Sequence, residues 1–182
     1  MSDLDTLRDV LKQEAIVPIT QDKHGKNVII LKEPACDKHD GYAITIHQIP
    51  SDIITIKADL FPAPKHVFTS KNGSCKRADF IMISEQKVIF IELKNGKGDS
   101  EAGIIQQFKG AQCVLDYCRS IAKYFWNTPK LLNKHQHRFV SIRDISVSKK
   151  MNLSKQNNLH DQPERMLKIT SPHHVSFQRI SC

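Results

Sequence analysis

The sequence predicts a mixed α/β domain. Strand-like runs broken by turns occupy the stretch from about Ile16 to Leu60, an alternating apolar stretch from Arg77 to Gly96 follows a loop, one long segment of helical periodicity comes next, and further strand-like runs close the chain. With 182 residues, 40% of them apolar, the chain is long enough for one domain, residues 1–182, with a full hydrophobic core.

The first element is a helix over "SDLDTLRDVLKQEA". Ser2 or Asp3 can cap it, the early acids suit its dipole, and Leu4, Leu7 and Leu11 make one apolar face with Glu14 at its end. Strands broken by turns come next, with "DKHG" as a hairpin turn before "NVIIL", then "YAITI" and "DIITIKA". "FPAPKHVFTSKNGS" is a loop, and it leads into "RADFIMISEQKVIFIELKNG". From Ser100, a capping candidate, Ile104, Phe108, Ala111, Leu115, Cys118 and Ala122 recur at three or four residues and mark a long amphipathic helix. "RFVSIRDISV", Arg138 to Val147, reads as a strand and "SKKMNLSKQNNLHDQPE" as a polar loop. "RMLKIT" and "HVSFQRI" read as a terminal hairpin around "SPHH". The fold expected is therefore a central mixed sheet flanked by helices, with additional N-terminal and C-terminal strands.

Composition narrows the function classes. No apolar run is long enough to cross a bilayer, and the acidic, amphipathic N-terminus is unlike a secretion signal, so a cytoplasmic protein is expected. Five scattered cysteines fit free thiols in a reducing compartment; "CDKH", Cys36 to His39, has no second pair at zinc-site spacing. The formal net charge is +8. Residues 1–120 hold 16 Lys or Arg against 16 Asp or Glu, whereas residues 121–182 hold 11 against 3. A localised basic excess favours a polyanionic partner.

Two carboxylates and an ammonium interrupt the most strand-like part of the chain, at Asp79, Glu92 and Lys94. A hairpin whose turn centres between Glu85 and Gln86 sets Ile83 against Val88 and, counting outward, Asp79 against Glu92. Opposed residues share a face with Cβ atoms about 5 Å apart, and Lys94 joins them because strand side chains alternate with period two. Two opposed acids repel unless a cation, a proton or a neighbouring positive group offsets them. Lys94 is one such group. A divalent ion is the other, since Mg²⁺ takes hard oxygen ligands and keeps waters that a substrate phosphate can replace. Such an ion can lower the pKa of a water and neutralise a phosphorane-like transition state. An ordinary lysine is protonated at neutral pH, so Lys94 suits orienting that water or countering charge better than acting as a base.

Asp79, twelve intervening residues and the tripeptide "ELK" from Glu92 to Lys94 resemble the PD-(D/E)xK nuclease superfamily, which includes restriction endonucleases and Holliday-junction resolvases. The resemblance covers roughly Asp52 to Val147 and implies a restriction endonuclease-like core. It also implies Mg²⁺, or Mn²⁺ in its place, held by Asp79 and Glu92, with Lys94 assisting hydrolysis. A carboxylate on the first helix often completes such a site, and Glu14 looks like its counterpart. A glutamine on the following helix would correspond to Gln107, less well to Gln106 or Gln112. Ala78 stands where the family often has proline.

Arg77, two positions before Asp79, is placed to contact a phosphate or to pair with a nearby acid. Lys130, Lys134 and Arg138 are expected to contact a nucleic-acid backbone. Tyr117, Tyr124, Phe125 and Trp126 are read as core packing, with Trp126 stacking on a base as the alternative. "HQH", His135 to His137, and His173 with His174 read as surface histidines. The function expected is a metal-dependent nuclease, an endonuclease acting on DNA rather than RNA. A noncatalytic nucleic-acid-binding module or an accessory subunit is the alternative. Cutting both strands of a duplex would favour a homodimer.

Overall fold

The first helix, α1 (Asp3–Val10), starts where the sequence supplies a reciprocal cap. In the computed structural model, which describes residues 2–34, 41–96, 100–144, 159–170 and 172–182, Ser2 Oγ accepts the Asp5 amide and the Asp5 carboxylate accepts the Ser2 amide. The helix stops earlier than its periodicity suggests. Leu11 is already extended at φ −99° and ψ 140°, and Gln13–Ala15 form a separate 3₁₀ turn. The chain has to straighten there because Ile16 bridges Ile56 and the Val17 amide donates to the Thr55 carbonyl.

Two sheets follow. The strands β1 (Ile19–Gln21), β2 (Asn27–Glu33) and β3 (Tyr42–His47) form an antiparallel meander. Its first turn is the expected "DKHG": Asp22 Oδ1 accepts the amides of His24 and Lys26, and Gly25 takes the left-handed φ of +73° that glycine permits. The central sheet consists of β4 (Ile53–Lys57), β5 (Phe80–Ser84), β6 (Lys87–Asn95), β7 (Gln136–Asp144) and β8 (Leu167–Thr170), in that order. Its first three strands are antiparallel, whereas β6, β7 and β8 run parallel. A parallel step needs a long crossover, and α2 (Glu101–Phe125) lies on that crossover. Ser100 Oγ caps it by accepting the Gly103 amide, as its position suggests.

The molecule is thus a mixed α/β fold with a central multi-stranded sheet flanked by helices and extra strands. One face of the central sheet packs Ile81, Val88, Phe90 and Phe139 under α1 and α2, where Phe108, Ala111 and Leu115 form the helix's buried stripe. The other face packs Met82, Ile89, Ile91 and Ile142 against Leu31 and Ile44 of the meander. Among the described residues, no helix is long and apolar enough to cross a membrane. The four described cysteines, Cys75, Cys113, Cys118 and Cys182, are free thiols; Cys36 to His39 lie outside the described residues.

The C-terminal segment departs from the expected hairpin. β8 joins the central sheet, while β9 (His174–Ser176) pairs in parallel with β3 and is followed by a short helix, α3 (Phe177–Ser181). Ile169 and Val175 thereby enter the core between the sheets from opposite sides, which two strands of one hairpin cannot do. β7 is described as far as Asp144; the rest of "RFVSIRDISV", and most of the polar loop after it, lie outside the described residues. The aromatic residues near the end of α2 are not core. Tyr117, Tyr124, Phe125 and Trp126 are exposed, because the buried stripe is already supplied by Leu115, Cys118 and Ala122. His135 and His137 are half-buried rather than superficial, and burial holds both imidazoles below their ordinary pKa. His137 packs edge-on against Phe90.

Candidate active site

Only Glu85 and Gln86 separate β5 from β6, so the turn fixes a register in which Ile83 faces Val88 and Phe80 faces Ile91. The next rung sets Asp79 opposite Glu92. Both side chains lie on the helix-covered face, because Ile81 and Phe90, two residues further along their strands, belong to the core beneath α1 and α2. Side chains extend the ladder there: the Asp79 amide donates to Glu92 Oε2 at 3.2 Å, and the Leu93 amide donates to Asp79 Oδ2 at 2.7 Å. Lys94 reaches back along β6, with Nζ 2.7 Å from Glu92 Oε1. Glu92 is 0% exposed and the Lys94 side chain 19%, so this ion pair is poorly screened by water.

The segment entering Asp79 is held from two sides. The Ala58 amide donates to the Asp79 carbonyl, and Arg77 donates to the carbonyls of Ala58 and Asp59. Above it, α2 presents Gly110 directly to the backbone. A Cβ on Gly110 would sit 1.7 Å from the Lys76 carbonyl oxygen, so the approach requires glycine.

This geometry sets the electrostatics. Burial pushes the Asp79 carboxyl up to about 7; the Leu93 amide and Lys94 pull it down, and the charges of Glu33 and Asp59 push it up again. Glu92 is driven well above the ordinary carboxylate range, first by burial and then by Asp79, against the pull of Lys94. One ammonium therefore does not compensate the two acids, buried Glu92 and half-buried Asp79. The pair relieves its repulsion by retaining a proton or by gaining a further cation.

Asp79, Glu92 and Lys94 are thus brought together. Gln107 lies on α2 one residue before buried Phe108, and its Oε1 is buried with no hydrogen-bond partner among the described residues. Glu14 is exposed, on the 3₁₀ turn rather than on α1, and its backbone carbonyl accepts from Lys57. Arg77 is occupied by the two carbonyls that it binds. Lys130 and Lys134 are exposed, but they precede β7 and lie at the end of the sheet where β6 begins, away from the acids. Arg138 is only 6% exposed and is turned inward, donating to the carbonyls of Cys182 and His137 and to Gln136.

The carboxylates that sequence reasoning missed are Glu33, the last residue of β2, and Asp59, just after β4; both are close enough to Asp79 to raise its pKa. Glu33 is brought near by the packing of the meander on the central sheet and Asp59 by the pairing of β4 with β5, neither of which a local pattern encodes. Among the described residues, no group of three or more His, Cys, Asp or Glu side chains is placed to hold a metal ion. A two-carboxylate site still suits Mg²⁺, which is commonly held by one or two carboxylates and completed by waters and phosphate oxygens. Each ionised carboxylate offers about four lone-pair sites, so the single backbone bond that each accepts leaves room for an ion.

Compared with models of known protein families, with curated proteins and with solved structures, the chain matches none.

Proposed function

We propose that the chain is a divalent-metal-dependent nuclease that hydrolyses phosphodiester bonds of DNA, acting as an endonuclease with a PD-(D/E)xK, restriction endonuclease-like centre. The observation that carries this reading is the rung at the end of the β5–β6 hairpin. There half-buried Asp79 opposes fully buried Glu92, with Lys94 2.7 Å from Glu92. Burying like charges costs stability, and a dication held by the two acids would offset that cost and would give the pair a chemical task.

In this reading Asp79 and Glu92 would hold Mg²⁺, with Mn²⁺ as a substitute. When bound, the ion supplies a Lewis acid that lowers the pKa of the attacking water and neutralises charge on the phosphoryl oxygens. Lys94 stands on the same face, its ammonium 2.7 Å from Glu92 Oε1, and would counter charge developing on an attacking water or a non-bridging oxygen beside the pair. The Leu93 amide keeps Asp79 turned toward Glu92, and Gly110 lets α2 cover the site from above. Gln107 has a buried amide oxygen available to hydrogen-bond a water or a nucleotide.

The test is incubation of the purified protein with supercoiled DNA, linear DNA and RNA in Mg²⁺, Mn²⁺ or EDTA, beside Asp79→Ala and Lys94→Ala. Metal-dependent cleavage of the supercoiled circle is expected, with Lys94→Ala slowing it by about 10²–10⁴-fold. Cleavage that survives both substitutions would place the chemistry elsewhere. Salt-sensitive DNA retention without cleavage would favour the noncatalytic module.

A further inference from the structure

Glu92 does not end its row of the sheet. The parallel register sets Ser141 of β7 beside Glu92 and Lys168 of β8 beside Ser141; one rung further, Arg143 lies beside Lys94 and Thr170 beside Arg143. Neighbouring residues in register project to the same face, so these side chains continue the face that carries the acids. With α2 above them they line a cleft of about 280 Å³, whose walls include Ser141, Arg143, Lys168 and Thr170 from the sheet and Glu101 and Ile104 from the helix. Buried Ser141 is part of this lining and stands beside Glu92 in the parallel register.

We propose that this cleft binds the phosphodiester backbone of the DNA strand on one side of the scissile bond, with Arg143 and Lys168 as the positioning cations. The inference rests on the nuclease reading of Asp79, Glu92 and Lys94. Adjacent strands are about 4.8 Å apart, so Lys168 stands about 10 Å from Glu92, a span of two to three nucleotides at about 3.4 Å of rise each. Lys94 on β6, Arg143 on β7 and Lys168 on β8 thus form a row of positive groups leading away from the acids, with Ser141 between Glu92 and Lys168 and Thr170 beyond Arg143. An Arg fork and a Lys point charge are the groups that take phosphate oxygens, and neither reads base identity.

Lys168 is now held by Glu101, Nζ to Oε2 at 2.6 Å, across a pair in which both side chains are more than half exposed. Exposed pairs of this kind are weak, so a phosphate can take the lysine from the carboxylate. Glu101 then faces the incoming strand as a like charge, which gives the cleft a site where affinity can be gained as well as lost. Lys130, Lys134 and Arg138, at the far end of β7, are not part of this path.

The test is fluorescence anisotropy of a labelled oligonucleotide duplex in EDTA, titrated with the full chain at several salt concentrations, so that no cleavage is needed. Lys168→Ala is at an exposed position and leaves the fold intact; Arg143→Lys keeps the charge at the half-buried one. Lys168→Ala is expected to weaken binding roughly tenfold and to reduce the salt slope by about 0.9. Arg143→Lys should weaken it several-fold by removing the fork, and Glu101→Gln should strengthen it. Lys130→Ala and Lys134→Ala should change it less than twofold. Wild-type affinity in Lys168→Ala together with unchanged affinity in Glu101→Gln would overturn the inference, even if the protein cleaves DNA. The expected pattern in a protein that never cleaves would uphold the cleft and remove the nuclease reading instead.

Discussion

Asp79 carries the opposed pair's cost in a measurable form. Its pKa is raised from 3.8 in the free side chain to about 7 in the fold, chiefly by burial. Below pH 3.8 both folded and unfolded chains hold the proton, and the group costs nothing. Between 3.8 and about 7 the unfolded chain releases it while the folded chain keeps it, so the metal-free protein loses stability as pH rises through this window and levels off above it. Asp79→Asn keeps an oxygen for the Leu93 amide and removes the charge that faces Glu92. It is expected to raise metal-free stability at pH 8 by about 2 kcal/mol, an increase in Tm of about 4–8 °C, and to do nothing at pH 4. Thermal melts of the two proteins across pH check this; a variant less stable than wild type at pH 8 would mean that the pair is not strained.

The hairpin β5–β6 positions the acids, and α2 locks the segment that leads into it. Gly110→Ala is expected to cost about 3 kcal/mol, since its Cβ would meet the Lys76 carbonyl oxygen at 1.7 Å and either the helix or the strand entry must move. The same substitution should weaken Mn²⁺ binding, because Asp79 follows Lys76 by three residues; calorimetry on the variant reads both effects. Elements of this kind were legible where one segment determines its own geometry. The hairpin register followed from Ile83, Glu85, Gln86 and Val88, and the α2 stripe followed from Ile104, Phe108, Ala111, Leu115, Cys118 and Ala122. Pairings between distant segments were not legible. The parallel register that sets Ser141 beside Glu92, the split of β8 and β9 between two sheets, and the inward turn of Arg138 toward Cys182 all depend on chain crossings that no local periodicity encodes. Glu14 was misplaced for the same reason: its fit to α1 was local, while the bridge from Ile16 to Ile56 ends the helix sooner.

At the scale of the whole molecule, the central sheet that carries the acids lies between two cores, one under the helices and one against the meander. Ile180 is fully buried in the second core, and Ile180→Ala is expected to cost about 2–5 kcal/mol and to lower Tm without changing the affinity of the acid pair for metal. If the acids hold a divalent ion only in the folded state, that ion stabilises the fold: under the proposed reading Mn²⁺ at about 100 times its Kd should add about 2.7 kcal/mol to unfolding, in wild type but not in Glu92→Gln. The most direct measurement of the central claim is calorimetric titration of Mn²⁺ at pH 7, in two buffers of different ionisation enthalpy, with Asp79→Asn and Glu92→Gln alongside. One site is expected, accompanied by proton release because the pair holds a proton near that pH, and abolished by either substitution. Absence of binding, or binding that persists unchanged in both variants, would contradict the assignment of the opposed acids as a metal centre.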